Sequence, residues 1–387
     1  MILTAIVFLL ILSVLVLIHE AGHFFVAKKL GIKVEEFGFG MPPRIFGKKI
    51  GETIYSINLL PIGGFVKLYG EDDAGGGAIN LKSKKLKVKD ESRAFYARSV
   101  GQRAAIVVAG VVMNAVLAVA IFYVYLFISN FKAELPLFGD HRFIFVNEYI
   151  KSELVISNIA PNSPAEKIGL RPFSKILSVN GEKPAITQDF IKFISEHKGK
   201  EITLDWQDVK TKKIFSSKIT PRVSPPKGEG ALGVAFFLAN TVVVSYDTPV
   251  QKIFSGFIHP INLLVYNFDV IGKLASVSVK EKSIAPLGES VSGPVGIFKL
   301  VGDIVAIPET KERILQVLNL AGILSISLAF FNVLPIPALD GGRLFFIIIE
   351  AVTRKKVNQK FESFLHTVFF VILLTLIILI TIKDLTH

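Results

Sequence analysis

The segment that decides the fold is the N-terminal run MILTAIVFLLILSVLVLIHEAGHFFVA (1–27), whose ionisable side chains are confined to HEAGH (19–23). A helix that crosses a bilayer needs about 20 apolar residues, so the run predicts transmembrane helix 1 over residues 1–27. Counted back from Lys28, His19 lies nine residues inside the run, roughly 13 Å deep at about 1.5 Å per residue. Because ionisable groups are costly at such depth, this cluster marks a functional site.

The cluster has the H-E-x-x-H pattern of a zinc site. On a helix, His19 and His23 are four residues apart and share one face, so they can hold one zinc ion. Glu20 lies next to them and can take a proton from the attacking water. A structural alternative is a His/Glu cluster that only hydrogen-bonds neighbouring helices.

A third metal ligand must be Asp, Glu or His, because the chain has no cysteine. The best candidate is Asp340, which directly follows an apolar segment in the context NVLPIPALDGG (332–342). Pro335 and Pro337 are expected to break the helix there. The alternative is a solvated Asp in an ordinary loop that ends a helix.

Three further uncharged segments predict transmembrane helices 2, 3 and 4 at 104–131, 314–339 and 363–382, the third leading into Asp340. We interpret residues 1–27 as a retained helix, because the basic n-region and the cleavage site of a signal peptide are missing.

The composition also indicates a membrane protein, with 51% hydrophobic and 20% charged residues and a mean hydropathy of +0.53. The lack of cysteine excludes a disulfide scaffold and a thiolate metal site. The net charge of +12 indicates loops beside anionic lipid rather than nucleic-acid binding.

The loops set the expected orientation. Basic residues are concentrated in 28–103 and 341–362, so these regions are expected on the cytoplasmic side, with both termini and 132–313 outside. Within 28–103, the stretch 34–71 alternates apolar runs with Gly and Pro, which predicts a membrane-associated β-hairpin or small sheet. A basic loop follows at 72–93.

Two elements are expected between the second and third membrane helices. Residues 150–222 predict an α+β module that resembles a PDZ domain, through its SPAE, GL and VNG sequences. Phe173-Ser174 stands where that pattern has Gly-Asp, and a spacer that binds nothing is the alternative. Residues 250–272 predict an amphipathic helix, either on the membrane surface or packed on the module, with Pro260 bending or splitting it.

Taken together, HEAGH, the FGFG sequence (37–40), the PDZ-like insert, GPVG (293–296) and NVLPIPALDGG resemble the site-2 protease family of intramembrane zinc metalloproteases. The closest type is the bacterial regulator of sigma-E protease (RseP), here with a single PDZ-like domain. The resemblance implies Zn2+ on His19, His23 and Asp340, with Glu20 as the catalytic general base. It also implies substrate contacts from Asn332 and from four loop residues: Phe37, Gly38, Phe39 and Gly40.

The expected fold is a multi-pass α-helical membrane protein with four transmembrane helices, a cytoplasmic-side β-hairpin or sheet and an extracytoplasmic α+β PDZ-like domain. The expected function is a zinc metalloendopeptidase of the bacterial cytoplasmic (inner) membrane, with its active site near the cytoplasmic face. Its substrates would be single-pass membrane proteins, such as anti-sigma factors or remnant signal peptides, cut within or near the transmembrane segment. We expect a monomer in contact with the lipid bilayer and no nucleic-acid partner.

Two rival functions stay open. One is a catalytically inactive membrane scaffold that binds partners through its PDZ-like domain, against which the intact HEAGH and Asp340 argue. The other is a transporter of metal ions or protons. Too few membrane helices and no paired inverted repeat weaken that reading.

Overall fold

The computed structural model describes residues 1–71, 91–184, 187–208, 213–355 and 357–386. They form two compact units, which we call the helical unit (Met1–Asn130 with Ile253–His387) and the inserted unit (Phe131–Lys252). The helices and strands follow one another as α1 (Ile2–Lys29), β1 (Val34–Ile50), β2 (Thr53–Leu68), α2 (Val100–Ile128), β3 (Lys132–Pro136), β4 (Asn147–Ile159), α3 (Pro164–Lys167), β5 (Ser174–Val179), α4 (Thr187–Glu196), β6 (Ile202–Asp208), β7 (Ile214–Ile219), β8 (Val234–Ser245), α5 (Pro249–Glu281), α6 (Ala285–Ser290), α7 (Pro294–Val305), α8 (Thr310–Val333), α9 (Asp340–Thr353) and α10 (Gln359–Thr386).

Four helices of the described chain are long and apolar enough to cross a membrane, namely α1, α2, α8 and α10. This confirms the expectation of four apolar helices. The third ends at Val333, six residues before the predicted 339. The reason is chemical, because Pro335 and Pro337 lack the N–H that a helix needs and disfavour helical geometry in the residue before them. A new helix, α9, then begins at Asp340.

The amphipathic helix differs from its prediction. Helix α5 runs from Pro249 to Glu281, nine residues beyond the predicted 272, and continues through Pro260. Pro260 was predicted to bend or split this helix, and the split is wrong because α5 is continuous across it. Pro260 lies on the buried face of α5, where Gly256 packs against the ring of Tyr123 on α2. Packing on that face offsets the one hydrogen bond that proline removes.

The stretch between α1 and α2 contains the predicted small sheet. β1 and β2 meet at the turn between Ile50 and Thr53, where Gly51 has a φ of 62° that favours glycine. The register shows a fold-back, since residues 36–39 pair with 64–67 on one side and with 54–57 on the other. Residues 36–39 therefore lie inside the sheet, and 64–67 form one edge of it. Most of the expected basic loop, residues 72–90, falls outside the described residues.

The inserted unit is built on a six-stranded sheet in the order β3-β8-β4-β5-β6-β7. It is wider than the predicted 150–222 module because β3 and β8 join the sheet through β4. Its core includes Ile156, Leu204 and Trp206, each at most 3% exposed. Within the predicted 150–222 module, the elements follow in the order β4, α3, β5, α4, β6 and β7, which is an α+β arrangement.

Two turns of the inserted unit lie at the VNG sequence and at Phe173-Ser174, the two positions compared with the PDZ pattern. Asn180 and Gly181 have φ angles of 48° and 83°, as a two-residue turn between strands requires. Phe173, which replaces the glycine of the PDZ pattern, has a φ of 63°. A bulky side chain rarely adopts that conformation, so the departure noted in the sequence falls at a position where glycine fits best.

Candidate functional site

The site is built on the close approach of α1 and α2. A Cβ atom at Gly22 would lie 2.8 Å from the Met113 side chain and nearer still to the Ala109 carbonyl. A Cβ at Gly110 would lie 2.7 Å from His19 Cε1. Real Cβ atoms do not come that close to other heavy atoms, so only glycine at these two positions lets the helices meet, as small residues do in membrane helix pairs.

Asp340 is brought to the same place by the break after α8. It is the first residue of α9 and is followed by two glycines. A Cβ at Gly341 would lie 2.6 Å from the carbonyl carbon of Leu334, and one at Gly342 would lie 2.7 Å from Pro337 Cα. The two glycines therefore allow α9 to pack tightly on the proline-containing segment that precedes it.

Three side-chain atoms converge at this point. His19 Nε2 lies 3.0 Å from Asp340 Oδ2, His23 Nε2 lies 3.2 Å from the same oxygen, and the two Nε2 atoms are 3.2 Å apart. All three side chains are largely buried, with 12%, 13% and 18% exposed. The sequence-predicted ligands therefore meet, although Asp340 follows His23 by 317 residues in the chain.

The triangle fits a zinc ion. With ligand bonds of about 2.0–2.1 Å, the corners of a tetrahedron lie about 3.3 Å apart, close to the three observed separations. Asp340 Oδ2 is buried and forms no hydrogen bond within the described chain, despite its closeness to both imidazoles. Two nitrogens and one carboxylate oxygen form a donor set of the kind found in catalytic zinc sites, which leave a fourth position for water.

Helix α2 supplies two contacts that the sequence motifs do not predict. The Ile106 carbonyl lies 2.8 Å from His23 Nδ1, and the Asn114 amide lies 3.2 Å from His19 Nδ1. Ile106, Gly110 and Asn114 are spaced by four residues, so they form one stripe along α2 that faces the two histidines. The signal was visible in part, because Asn114 is a polar residue in an uncharged membrane segment.

A cavity of about 200 Å³ opens beside the triangle. Glu20 lines it, as do Gly64, Phe65, Val66 and Leu68 of β2. A Cβ at Gly64 would be 3.4 Å from Glu20 Cγ, so β2 passes directly over the glutamate.

The far wall of the cavity carries an ion pair. Arg343, one turn after Asp340 on α9, donates to Glu71, which follows β2. His366 of α10 also lines the cavity, and its Nδ1 accepts a hydrogen bond of 2.9 Å from the backbone N–H of Ala338. These contacts connect α9 to the segment after β2, and α10 to the segment before α9.

The other predicted site residues lie elsewhere. Phe37, Gly38, Phe39 and Gly40 are in the interior of the small sheet and are not among the residues that line the cavity. Phe37 packs edge-on against Phe24 of α1, with ring centres 5.1 Å apart. Asn332 is half-buried near the end of α8 and is likewise outside the cavity lining.

Solved structures of PDZ domains align with about a fifth of this chain. The PDZ domain of an SdrC-like protein from Listeria monocytogenes is 19% identical, with a TM-score of 0.19, and the alignment covers 21% of this chain and 85% of that domain. A TM-score this low does not establish a shared fold. The PDZ-like interpretation therefore depends on the element order and turns described above.

Whole-chain comparisons are more decisive. The model of peptidase family M50 matches residues 7–376. A Clostridium perfringens protein that carries the name zinc metalloprotease is 34% identical over 376 residues, covering 97% of this chain and 96% of that protein. The regulator of sigma-W protease RasP from Bacillus subtilis is 26% identical, covering 98% of each chain. With four apolar helices, these relatives indicate a bacterial inner-membrane protein. Since the family model covers nearly the whole chain, the protein belongs to peptidase family M50, the site-2 proteases, and is a zinc metalloprotease.

Proposed function

We propose that this protein hydrolyses peptide bonds within or beside the transmembrane segments of membrane-anchored substrates, with zinc held by His19, His23 and Asp340. The observation that carries the proposal is the convergence of three ligand atoms, 3.0–3.2 Å apart, on an apolar helix long enough to span a bilayer. A metal site of catalytic type at that place positions hydrolysis inside the membrane rather than in the aqueous phase.

Each residue has a defined task in this proposal. When bound, zinc supplies Lewis acidity that polarises a carbonyl group and lowers the pKa of water. Glu20 lines the cavity beside the ligand triangle and is the proposed general base. Its carboxylate takes a proton from the attacking water and later gives it to the leaving amine.

The substrate must unwind before it is cut, because the carbonyl of a helical peptide bond is already hydrogen-bonded. An exposed strand edge can hold the unwound segment by adding it as a further strand. Among the described strands, residues 64–67 form an edge whose first three residues line the cavity, and residues 36–39 are paired on both sides. We therefore place substrate capture on residues 64–67. The predicted contacts of Phe37–Gly40 would then be indirect, through strand pairing, and Asn332 stays a proposed substrate contact.

The metal ligands are tested by zinc content. Purified protein in detergent is expected to contain about one zinc per chain, since three protein ligands make a site of catalytic type. His23→Phe removes one ligand and is expected to empty the site, as measured by elemental analysis. His197→Phe, in the turn directly after α4 of the inserted unit, is the matched control and should keep its zinc. Full zinc occupancy in His23→Phe would overturn the assignment.

For orientation, we propose that residues 28–103 and 341–362 lie in the cytoplasm and that the inserted unit and both termini lie outside. The basic residues of the short loops support this, because such residues are retained on the cytoplasmic side. The active site would then be near the cytoplasmic face, from which water would reach it.

Cysteine labelling tests the orientation, because the chain has no native cysteine. Ser83→Cys lies in the basic loop, outside the described residues, and Ser195→Cys is exposed on the inserted unit. A membrane-impermeant thiol reagent added to intact cells is expected to label only the second variant. Ser83→Cys should react after the cells are opened. Labelling of both variants in intact cells would contradict the proposed topology.

Helix α5 is proposed to lie at the membrane surface. Several large apolar side chains point outward, including Phe254, Phe257 and Ile261, each about half-exposed, while Gly256 and His259 are buried against α2. A row of large apolar side chains on the outer face suits contact with lipid.

The substrates are proposed to be single-pass proteins, such as anti-sigma factors or remnant signal peptides. The name of the Bacillus subtilis relative, regulator of sigma-W protease, supports a role in sigma-factor control. We further propose that the protein acts as a monomer. The PDZ-like module over 150–222 is proposed as a domain that contacts substrates or controls their access.

A further inference from the structure

We infer that Asn114 is a positioning residue: its side-chain oxygen accepts a hydrogen bond from His19 Nδ1–H and so keeps His19 Nε2 free to bind zinc. The inference deepens the proposed metal site and depends on it. Asn114 is fully buried on α2, and its amide lies 3.2 Å from His19 Nδ1. It touches the imidazole on the side opposite Asp340.

His23 illustrates how an acceptor at Nδ1 selects the tautomer of an imidazole. Its Nδ1 lies 2.8 Å from the Ile106 carbonyl, and a carbonyl oxygen can only accept. The proton of neutral His23 is therefore on Nδ1, and the lone pair is on Nε2, the atom that faces Asp340. A backbone contact thus selects the tautomer that can bind metal.

His19 needs the same tautomer, because its Nε2 also faces Asp340 Oδ2 at 3.0 Å. Its Nδ1 must then donate, and the only group at hydrogen-bond distance from that atom among the described residues is the Asn114 amide. The oxygen and nitrogen of a carboxamide exchange places on a 180° rotation about the Cβ–Cγ bond. As placed, the nitrogen faces His19, and the buried Oδ1 has no hydrogen-bond partner in the described chain. The rotated amide gives that oxygen a donor.

The backbone around Asn114 is held separately from its side chain. Ser325 Oγ of α8 donates to the Asn114 carbonyl at 2.8 Å, and both residues are fully buried. This contact fixes α2 against α8 without involving the amide. Ser325→Ala therefore removes a buried hydrogen bond next to Asn114 and leaves the His19 contact intact.

The test measures the zinc dissociation constant of the full-length protein by competition with a chromophoric chelator. Asn114→Leu has similar size but no acceptor, and it is expected to weaken zinc binding by about 10- to 100-fold. Asn114→Asp keeps an oxygen but has no N–H, so it is expected to bind zinc within about threefold of the native protein or more tightly. Ser325→Ala should keep native affinity even where it lowers the melting temperature of the metal-free protein.

Each result decides between the alternatives. Equal losses in Asn114→Asp and Asn114→Leu would show that the amide nitrogen, or mere packing, is what matters, and would overturn the inference. Native affinity in Asn114→Leu would also overturn it. If Asn114→Leu does not fold, as judged by gel filtration, Asn114→Ala replaces it with the same expected loss. Failure of the native protein to bind zinc would instead contradict the proposed function itself.

Discussion

Replacing Glu20 with Gln is expected to lower substrate cleavage by at least about a hundredfold while the zinc content stays at about one per chain. The amide has almost the shape of the carboxylate, and Glu20 is not one of the three converging ligands. Glu20 lines the cavity, and a glutamine in its place cannot take the proton of the attacking water. Because the hydrolysis step fails while substrate binding is retained, uncleaved substrate should co-purify with the variant.

The measurement is the cleavage rate of a membrane peptide in detergent or liposomes, with zinc determined on the same sample. Glu201→Gln is a matched control, since this glutamate is exposed on the inserted unit and pairs only with Lys218 in the described contacts. It should cleave at the native rate. If zinc-loaded Glu20→Gln also cleaves at near the native rate, Glu20 is not the base. An inactive scaffold would show no cleavage in any of the three proteins.

Gly110→Ala adds one methyl group and is expected to cause large losses of both zinc content and cleavage rate. The added Cβ would lie 2.7 Å from His19 Cε1 and still closer to His23 Nε2, so the imidazoles or helix α2 must shift. Metal sites tolerate ligand displacements of only about 0.2 Å, and a 1 Å misplacement can cost about a hundredfold in rate. The zinc content should fall below about a tenth of an ion per chain. The cleavage rate should fall by at least about a hundredfold.

Gly101→Ala is the control for this prediction. It makes the same substitution on the same helix, where a Cβ would meet no heavy atom within 4 Å. Alanine is also the better helix former by about 1 kcal/mol. The control should therefore retain zinc, activity and stability. Native zinc content and rate in Gly110→Ala would refute the close packing of α2 on the two histidines.

The histidine pair could be predicted from sequence because its information is local. Two histidines four residues apart share a helix face wherever the helix lies, and their depth in an apolar run excludes an ordinary surface cluster. Asp340 required elimination of other ligands and the proline-rich context before it. The structure adds why that context works, since Gly341 and Gly342 let α9 pack on the segment that breaks α8.

The contacts from α2 could not be predicted in the same way. Which face of one membrane helix meets another depends on packing register, which cannot be read from the pattern of residues along one uniformly apolar helix. The contact to His23 is made by a backbone carbonyl, so the identity of Ile106 carries no signal for it. Asn114 did carry a signal, as a lone polar side chain among apolar neighbours, yet its partner became evident only from the structure.

The small sheet shows a similar limit. Alternating apolar residues with Gly and Pro predicted strands between α1 and α2, and strands are present. The pattern does not reveal that residues 36–39 are paired on both sides. The family resemblance alone implied the substrate contact of the FGFG sequence, whereas the residues of this sheet that line the cavity with Glu20 are Gly64, Phe65, Val66 and Leu68.

The most direct test of intramembrane proteolysis is to map where a membrane substrate is cut. A single-pass peptide with one apolar segment between soluble flanks is incubated with the zinc-loaded protein in liposomes, and its products are weighed by mass spectrometry. New termini inside or at the edge of the apolar segment, lost when zinc is removed by a chelator and restored when it is returned, are the expected result. Cuts confined to the soluble flanks, or cleavage that persists without zinc, would contradict the account.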